Sequence, residues 1–519
     1  MDKFFAGIDV STQSLKFIII NLTGQAIVYR DSINYDKDLP EFQTLNGTII
    51  NQSKGVSESN PLMWINALNI VFDRAKRKTK FLPKIRSISV SGQQHGLVSL
   101  TEDGKLAKPT SKLWNDFSTQ TECELLDVGI GGTDKMIETI GNSQKTGYSA
   151  SKIFHMFRNE IDYFNATNSF LLVHNYINWY LTGGVKIMED GDASGTGLWD
   201  PISKTWSKKL VKIISEDLFD KLPAVESSMK SIGKISNELA DKYGFDLKCT
   251  IDAGSGDNMY GAIGTGNIEP GIVTISLGTS GTIYTMLEEA FVDPTGEIAC
   301  FCNSIGSYMP LICVSNMAGV YNNFLKANNL SHASFEELIK KTKPGNNGNL
   351  IIPWFEGERT PDLPDGCPIY FGFNIDNLNL ETLSRGILEG LILNLHDGFI
   401  KLPVMPKTLH LTGGMSTSQI WCQTIANIFN CKTVSVKDEG AALGAAIHAA
   451  WVWENESGNE IRLKELSDPF IQFDEKSYFT PEKKYVETYH SLNQLYSSLS
   501  KRLRGLEADN PYMLRKNLT

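Results

Sequence analysis

The feature that most restricts the fold is a pattern that occurs twice at long range. Phe4 to Val10 is an apolar strand run, Ser11-Thr12-Gln13-Ser14 a small polar turn, and Leu15 to Asn21 a second run ending at Leu22-Thr23-Gly24. A third run, Ala26 to Tyr29, follows. Ile272 to Leu277, the turn Gly278-Thr279-Ser280-Gly281 and Thr282 to Met286 repeat the opening, with Thr12 and Thr279 standing 267 residues apart in a chain of 519. That separation is close to half the chain, so two related halves are expected. Between the openings strand runs alternate with amphipathic helical ones, which predicts an α/β protein with helices covering mixed sheets. In the first half Ile85 to Ser91 is a strand feeding Gly92-Gln93-Gln94-His95-Gly96. In the second, Thr408 to Thr412 feeds Gly413-Gly414, and Ser416 is the expected cap of a helix from Gln419 to Phe429.

Gly and small residues gather between 253 and 267, which places an N-terminal domain at 1–255, a C-terminal domain at 256–505 and a polar tail at 506–519. Residues 36–60 and 341–349 are polar insertions, and a long helix is expected from Tyr478 to Gly505. A helix with Asp438 and Glu439 at its start and a small-residue face, Gly440 to Ala446, predicts close helix packing. The longest apolar helical run, Ala441 to Trp453, is too short to span a bilayer. Lys and Arg number 49 against 59 Asp and Glu, and the net charge of −10 repels polyanions at long range, so no nucleic-acid partner is expected. Eight Cys without a CxxC pair are expected to be reduced and buried, and Cys300 and Cys302 to lie on opposite strand faces. No basic stretch leading into an apolar run opens the sequence, and a cytoplasmic location is expected.

Turns of Gly, Ser and Thr expose successive backbone N–H groups and form anion-binding concavities without Lys or Arg. Any hairpin uses such residues. Recurrence at equivalent places favours phosphate binding by Ser11, Thr12, Gln13 and Ser14 and by Gly278, Thr279 and Ser280, one turn from each half gripping a polyphosphate. Gly413 and Gly414, at a strand end, let backbone approach a flat ligand because no Cβ intervenes. Glu189, Asp190 and Asp192 are read as a solvated acidic loop rather than a metal site.

These motifs stand in the order used by the actin-like ATPase superfamily. Gly-Gln-Gln-His-Gly at 92–96, Trp-Asn-Asp at 114–116, Ala-Gly-Ser-Gly-Asp-Asn at 253–258 and Gly-Glu-Arg-Thr-Pro at 357–361 resemble the FGGY carbohydrate kinases, their xylulokinase branch in particular, over nearly the whole chain. The resemblance implies two ribonuclease H-like (actin-like ATPase) domains and transfer of phosphate from Mg-ATP to a small ketose, D-xylulose first. L-ribulose and glycerol kinases are the alternative within the family, and a non-catalytic actin-like ATPase or sugar sensor the alternative outside it. Asp257 matches the catalytic Asp. At an ordinary pKa of about 3.9 it would be a weak base, taking the hydroxyl proton late in transfer. The resemblance further implies sugar recognition by Gln94, His95 and Asn258, with Trp114 stacking on sugar C–H groups and Asp116 accepting hydroxyls. Core packing serves Trp114 equally well. Asp9 is implied to hold Mg²⁺ through water. Lys152 and Arg359 match signature positions, with domain contacts or phosphate electrostatics as their implied roles. A monomer or homodimer is expected.

Overall fold

The computed structural model describes residues 2–437 and 440–518. The chain divides into two compact units, and three separate segments build the first: Met1–Ile268, Leu287–Met309 and Glu439–Ile471. The second unit takes Glu269–Met286, Pro310–Asp438 and Gln472–Thr519. The single cut expected at 255/256 therefore gives way to a boundary after 268 and two later returns to the first unit. Asp438 and Glu439, expected to open the small-residue helix, lie outside the described residues.

In the first unit the strand Phe4–Val10 is buried along its whole length. Sheet order runs Ala26–Asn34, Ser14–Asn21, Phe4–Val10, Ile85–Gly92, Thr250–Asp252 and Ser231–Lys234, with Ser255–Gly256 also on Ile85–Gly92. Successive pairings are antiparallel, antiparallel, parallel, parallel and antiparallel. Alternation sends Phe4, Ala6, Ile8 and Val10 into one core and Phe5 into the other. The first core is closed by the helix Pro61–Lys78, which Asn60 caps through Leu62 N–H and which buries Trp64, Leu68, Val71, Phe72 and Ala75. Burying each large apolar side chain stabilises the fold by about 1.5–3 kcal/mol.

The opposite face is covered by the helices Asp257–Gly264 and Gly440–Glu456. Contact there is backbone to backbone. A Cβ on Gly444 would lie 1.9 Å from the Tyr260 carbonyl oxygen, and one on Gly7 would lie 2.0 Å from that of Ala442. The small residues of Gly440–Glu456 therefore serve packing, as their pattern predicts.

The second unit repeats the topology. Its sheet runs from residues 311–314 through Gly281–Thr285, Ile272–Leu277, Thr408–Thr412, Thr433–Lys437 and Gln472–Phe473. The pairings again read antiparallel, antiparallel, parallel, parallel, antiparallel. The repeat seen in two turns thus extends to six strands with the same pairing senses and, for the first four, the same chain order. At the far edge Ser231–Lys234 precedes its neighbour Thr250–Asp252 in the chain, whereas Gln472–Phe473 follows its neighbour Thr433–Lys437. The polar tail is docked rather than loose. Its helix Pro511–Arg515 sends Arg515 to the carbonyls of Gly348 and Gly372 and the side chain of Asn349. Ser418, not Ser416, stands at the start of Gln419–Phe429, while Ser416 Oγ turns back to the Gly413 carbonyl. Every Cys is free, and Cys367 is exposed rather than buried. Among the described residues no helix is long and apolar enough to cross a membrane.

Candidate active site

In the first unit, parallel strands end together. Phe4–Val10 delivers Asp9, Ile85–Gly92 leads into Gln94 and His95, and Ser255–Gly256 pairs on that same strand just before Asp257. Asp257 is the first residue of its helix, where the helix dipole favours a negative charge. Burial nevertheless wins. It pushes the Asp257 carboxyl up to about 7, with the charges of Asp9 and Asp192 adding and backbone N–H groups of Asn258 and Gln94 opposing. This overturns the expectation of an ordinary, weakly basic Asp. Asp9 is raised to about 6, again by burial, against a 2.9 Å hydrogen bond from Ser91 Oγ and the charge of Lys16.

Gln94 and Asn258 meet directly, Asn258 Nδ2 donating to Gln94 Oε1 at 2.8 Å and lying 3.3 Å from Asp257 Oδ1. Gln94 Nε2 in turn approaches Asp192 Oδ1 at 3.4 Å. His95 is partly exposed and holds φ of +65°, a left-handed conformation that costs a non-glycine residue about 1–2 kcal/mol. Its imidazole lies 4.9 Å from the Tyr148 ring and 6.1 Å from that of Phe301. Its carbonyl accepts from Lys152 Nζ at 2.7 Å. Lys152 is wholly enclosed, and burial lowers its pKa to about 7, Lys112 adding and Asp116 opposing. A hydrogen bond of this kind contributes about 0.5–1.5 kcal/mol, of the same size as the strain at His95.

The structure moves two expected sugar ligands into supporting positions. Asp116 has no exposed surface, and its carboxylate accepts from Ser57 N, Ser118 N, Ser118 Oγ and Lys112 Nζ. Burial raises its pKa, but those bonds and the Lys112 charge prevail and hold it below the usual range. Its oxygens are spent on its own loop and on the 36–60 insertion. Trp114 is partly exposed, and its indole N–H donates to Thr12 Oγ1 at 2.9 Å. Thr12 Oγ1 donates in turn to Gln93 Oε1 at 3.0 Å, so this hydroxyl orders the turn, against whose Thr12 carbonyl Gly47 packs closely.

Ser11 closes the first turn, its N–H and Oγ both reaching the Ser14 carbonyl, and Gln13 is exposed. In the second unit, Gly278 and Thr279 give their carbonyls to the N–H groups of Ala318 and Gly319 at the start of a helix, and Thr279 is exposed beside Ser280. Gly413 and Gly414 are exposed at the end of Thr408–Thr412. Gly413 has φ of +85°, and a Cβ there would lie 2.6 Å from the Leu277 carbonyl oxygen. Arg359 also belongs to this unit, next to Glu358, whose buried carboxylate accepts from Asn316 and Asn394.

Sequence reasoning missed Tyr148, which opens the Tyr-Ser-Ala-Ser-Lys run that ends at Lys152, and Phe301, and misplaced Glu189, Asp190 and Asp192. That segment is buried, not solvated. Glu189 caps the turn through Gly191 N–H and Asp192 N–H and is pushed well above the usual range by burial and the two neighbouring Asp charges. His174 Nδ1 stands 2.9 Å from Asp192 Oδ2. The acidic triplet thus backs the Gln94–His95 loop from within.

Family models agree with this layout. The N-terminal domain of the FGGY family of carbohydrate kinases matches residues 4–264, and its C-terminal domain matches 273–453. Xylulose kinase of Haemophilus influenzae is 34% identical over 504 residues, covering 95% of this chain and 98% of its own. Xylulose kinase of Bacillus subtilis is 29% identical, covering 96% of each chain. Among solved structures, ligand-bound xylulose kinase and gluconate kinase, both from Lactobacillus acidophilus, superpose with TM-scores of 0.85 and 0.86 at 24% identity, over 97% of this chain and 98% of theirs. They share its fold, that of the actin-like ATPases. The chain belongs to the FGGY family of carbohydrate kinases. It is a phosphotransferase that acts on an alcohol group, with ATP as the phosphate donor that a kinase of this family uses.

Proposed function

We propose that this kinase transfers the γ-phosphoryl group of ATP to the terminal hydroxyl of D-xylulose, giving D-xylulose 5-phosphate and ADP. The substrate rests on the xylulose kinases it is similar to along nearly its whole length. The chemistry rests on one observation above the others, the raised pKa of Asp257 beside the Gln94–Asn258 pair and the His95 loop. A base with a pKa near the working pH combines adequate ionisation with real proton affinity. Asp257 takes the hydroxyl proton as the new O–P bond forms and the bond to ADP breaks. Gln94, Asn258 and His95 orient the sugar, with Tyr148 and Phe301 walling the imidazole. The Ser11–Ser14 turn, closed by the bond of Ser11 N–H to the Ser14 carbonyl, and the turn Gly278 to Ser280 offer their remaining backbone N–H groups to phosphate, and Gly413 and Gly414 admit the adenosine.

The residues also suit Mg²⁺. Asp9 is a buried carboxylate raised to about 6, whose charge in turn raises Asp257, and a divalent cation beside it would relieve both. Among the described residues no three His, Cys, Asp or Glu gather into a closed metal site. Magnesium keeps several waters and takes only one or two carboxylates, so it requires none. When bound, it would supply charge neutralisation to the phosphates.

Purified protein with Mg-ATP is expected to release ADP in a D-xylulose-dependent manner. A panel of ketoses, aldoses and polyols compared by kcat/KM checks the assignment, and a tenfold preference for L-ribulose or glycerol would replace D-xylulose. The pH profile carries a second expectation. Asp257 is a base only when ionised, so kcat/KM should rise tenfold per pH unit up to about 7 and level off above it. A profile flat from pH 5.5 to 8.5 contradicts that role.

A further inference from the structure

We propose that Lys152 is a positioning residue for sugar recognition, holding the strained His95 backbone so that its imidazole is presented to the ketose. The inference rests on the reading of the His95 loop as sugar site. One short stretch grips both ends of His95. Tyr148, at the N-cap of the helix Ser149–Asn159, lays its ring 4.9 Å from the imidazole. Lys152, one turn further along, places Nζ 2.7 Å from the His95 carbonyl oxygen.

Other groups restrict the ring. Phe301 stands 6.1 Å away, and Gly195 packs so close that a Cβ there would lie 2.6 Å from His95 Cε1. Neither fixes the backbone. His95 sits at φ of +65°, an uncommon conformation for a residue with a side chain, and follows Gln93 and Gln94, which are held by Val10, Thr12 and Asn258. Lys152 is 1% exposed, so its long side chain has been taken wholly out of water, and the His95 carbonyl is where its nitrogen donates. Placing an amine there is costly unless the bond it makes is needed. The Lys152 hydrogen bond goes to the His95 loop.

The test is a double-mutant cycle on the full-length protein with D-xylulose and Mg-ATP, using Lys152→Met, which keeps the length and removes the donor, and His95→Ala. Lys152→Met should raise KM for the ketose by about three- to tenfold, as expected for one lost buried hydrogen bond. KM for ATP should stay within about twofold, and kcat should fall less than kcat/KM. Because Lys152 acts through His95, the double variant should be no worse than His95→Ala alone, whereas a general loss of fold quality would add to it. Full additivity, an equal rise in KM for ATP, or ketose kinetics within twofold of wild type overturns the proposal. Lys152→Gln, which retains a shorter donor, should recover part of the loss, and it carries the cycle if the Met variant does not fold. Failure of both variants to fold makes Lys152 structural and ends the proposal. Wild-type protein inactive on D-xylulose refutes the substrate assignment instead, and the cycle is then run on the sugar the panel selects.

Discussion

Asp257→Asn is expected to lower kcat for D-xylulose phosphorylation by roughly 10²–10⁴-fold, the span that a positioned general base contributes. The substitution keeps the shape and removes the proton acceptor. Asn at the first helical position still accepts N–H groups through its Oδ1, so the backbone of Asp257–Gly264 has no reason to move. The carboxylate that burial and the neighbouring Asp9 charge hold at about 7 disappears, and with it the acid limb of the pH profile. Binding of both substrates should change little, because the loss falls on the transition state. Steady-state kinetics and calorimetric titration with D-xylulose check the two halves separately. Turnover within tenfold of wild type removes Asp257 from the base role.

Gly444→Ala should destabilise the first unit strongly. The new Cβ would sit 1.9 Å from the Tyr260 carbonyl oxygen and 3.0 Å from Gly264 N, both backbone atoms that cannot rotate away. Relief requires the helices Gly440–Glu456 and Asp257–Gly264 to separate. Overpacking of this kind costs about 1–3 kcal/mol or more, a drop in Tm of several degrees for a unit of this size. The same displacement carries Asp257, at the head of the second helix, away from Gln94 and His95. A shift of about 1 Å in a reacting group is enough for about a hundredfold loss of rate, so activity should fall with stability. Calorimetry beside a kcat measurement tests this. A Tm within one degree of wild type means the interface is looser than the structure has it.

Much of the architecture was legible because it is written in local pattern. Phe4–Val10 and Ile272–Leu277 are short apolar runs bounded by small polar turns, and the structure places them as drawn. The second strand pair and the Gly-Gly strand end followed the same signals. Chain crossing was not legible: nothing in Ala441 to Trp453 says which sheet its small residues meet, since a glycine-rich helix face is equally suited to either. In the candidate site, motif residues were found where the chain concentrates Gly with His, Asp or Asn. Errors arose where burial decides function. Asp116 looks like a free acceptor until Ser57 arrives from the 36–60 insertion and the loop turns Ser118 and Lys112 onto it, and Asp257 looks like an ordinary acid until burial raises it. Tyr148 and Phe301 are distant in sequence and meet at His95 only after folding.

The return of Glu439–Ile471 to the first unit sets an order on biosynthesis. When residues 1–268 have left the ribosome, the side of the sheet that bears Phe5 and Gly7 still lacks its partner helix, which is encoded more than 170 residues later. The proposed base, Asp257, therefore belongs to a lobe completed only once the segment ending at Ile471 has been made. A gene cut at the apparent midpoint would not yield two working halves.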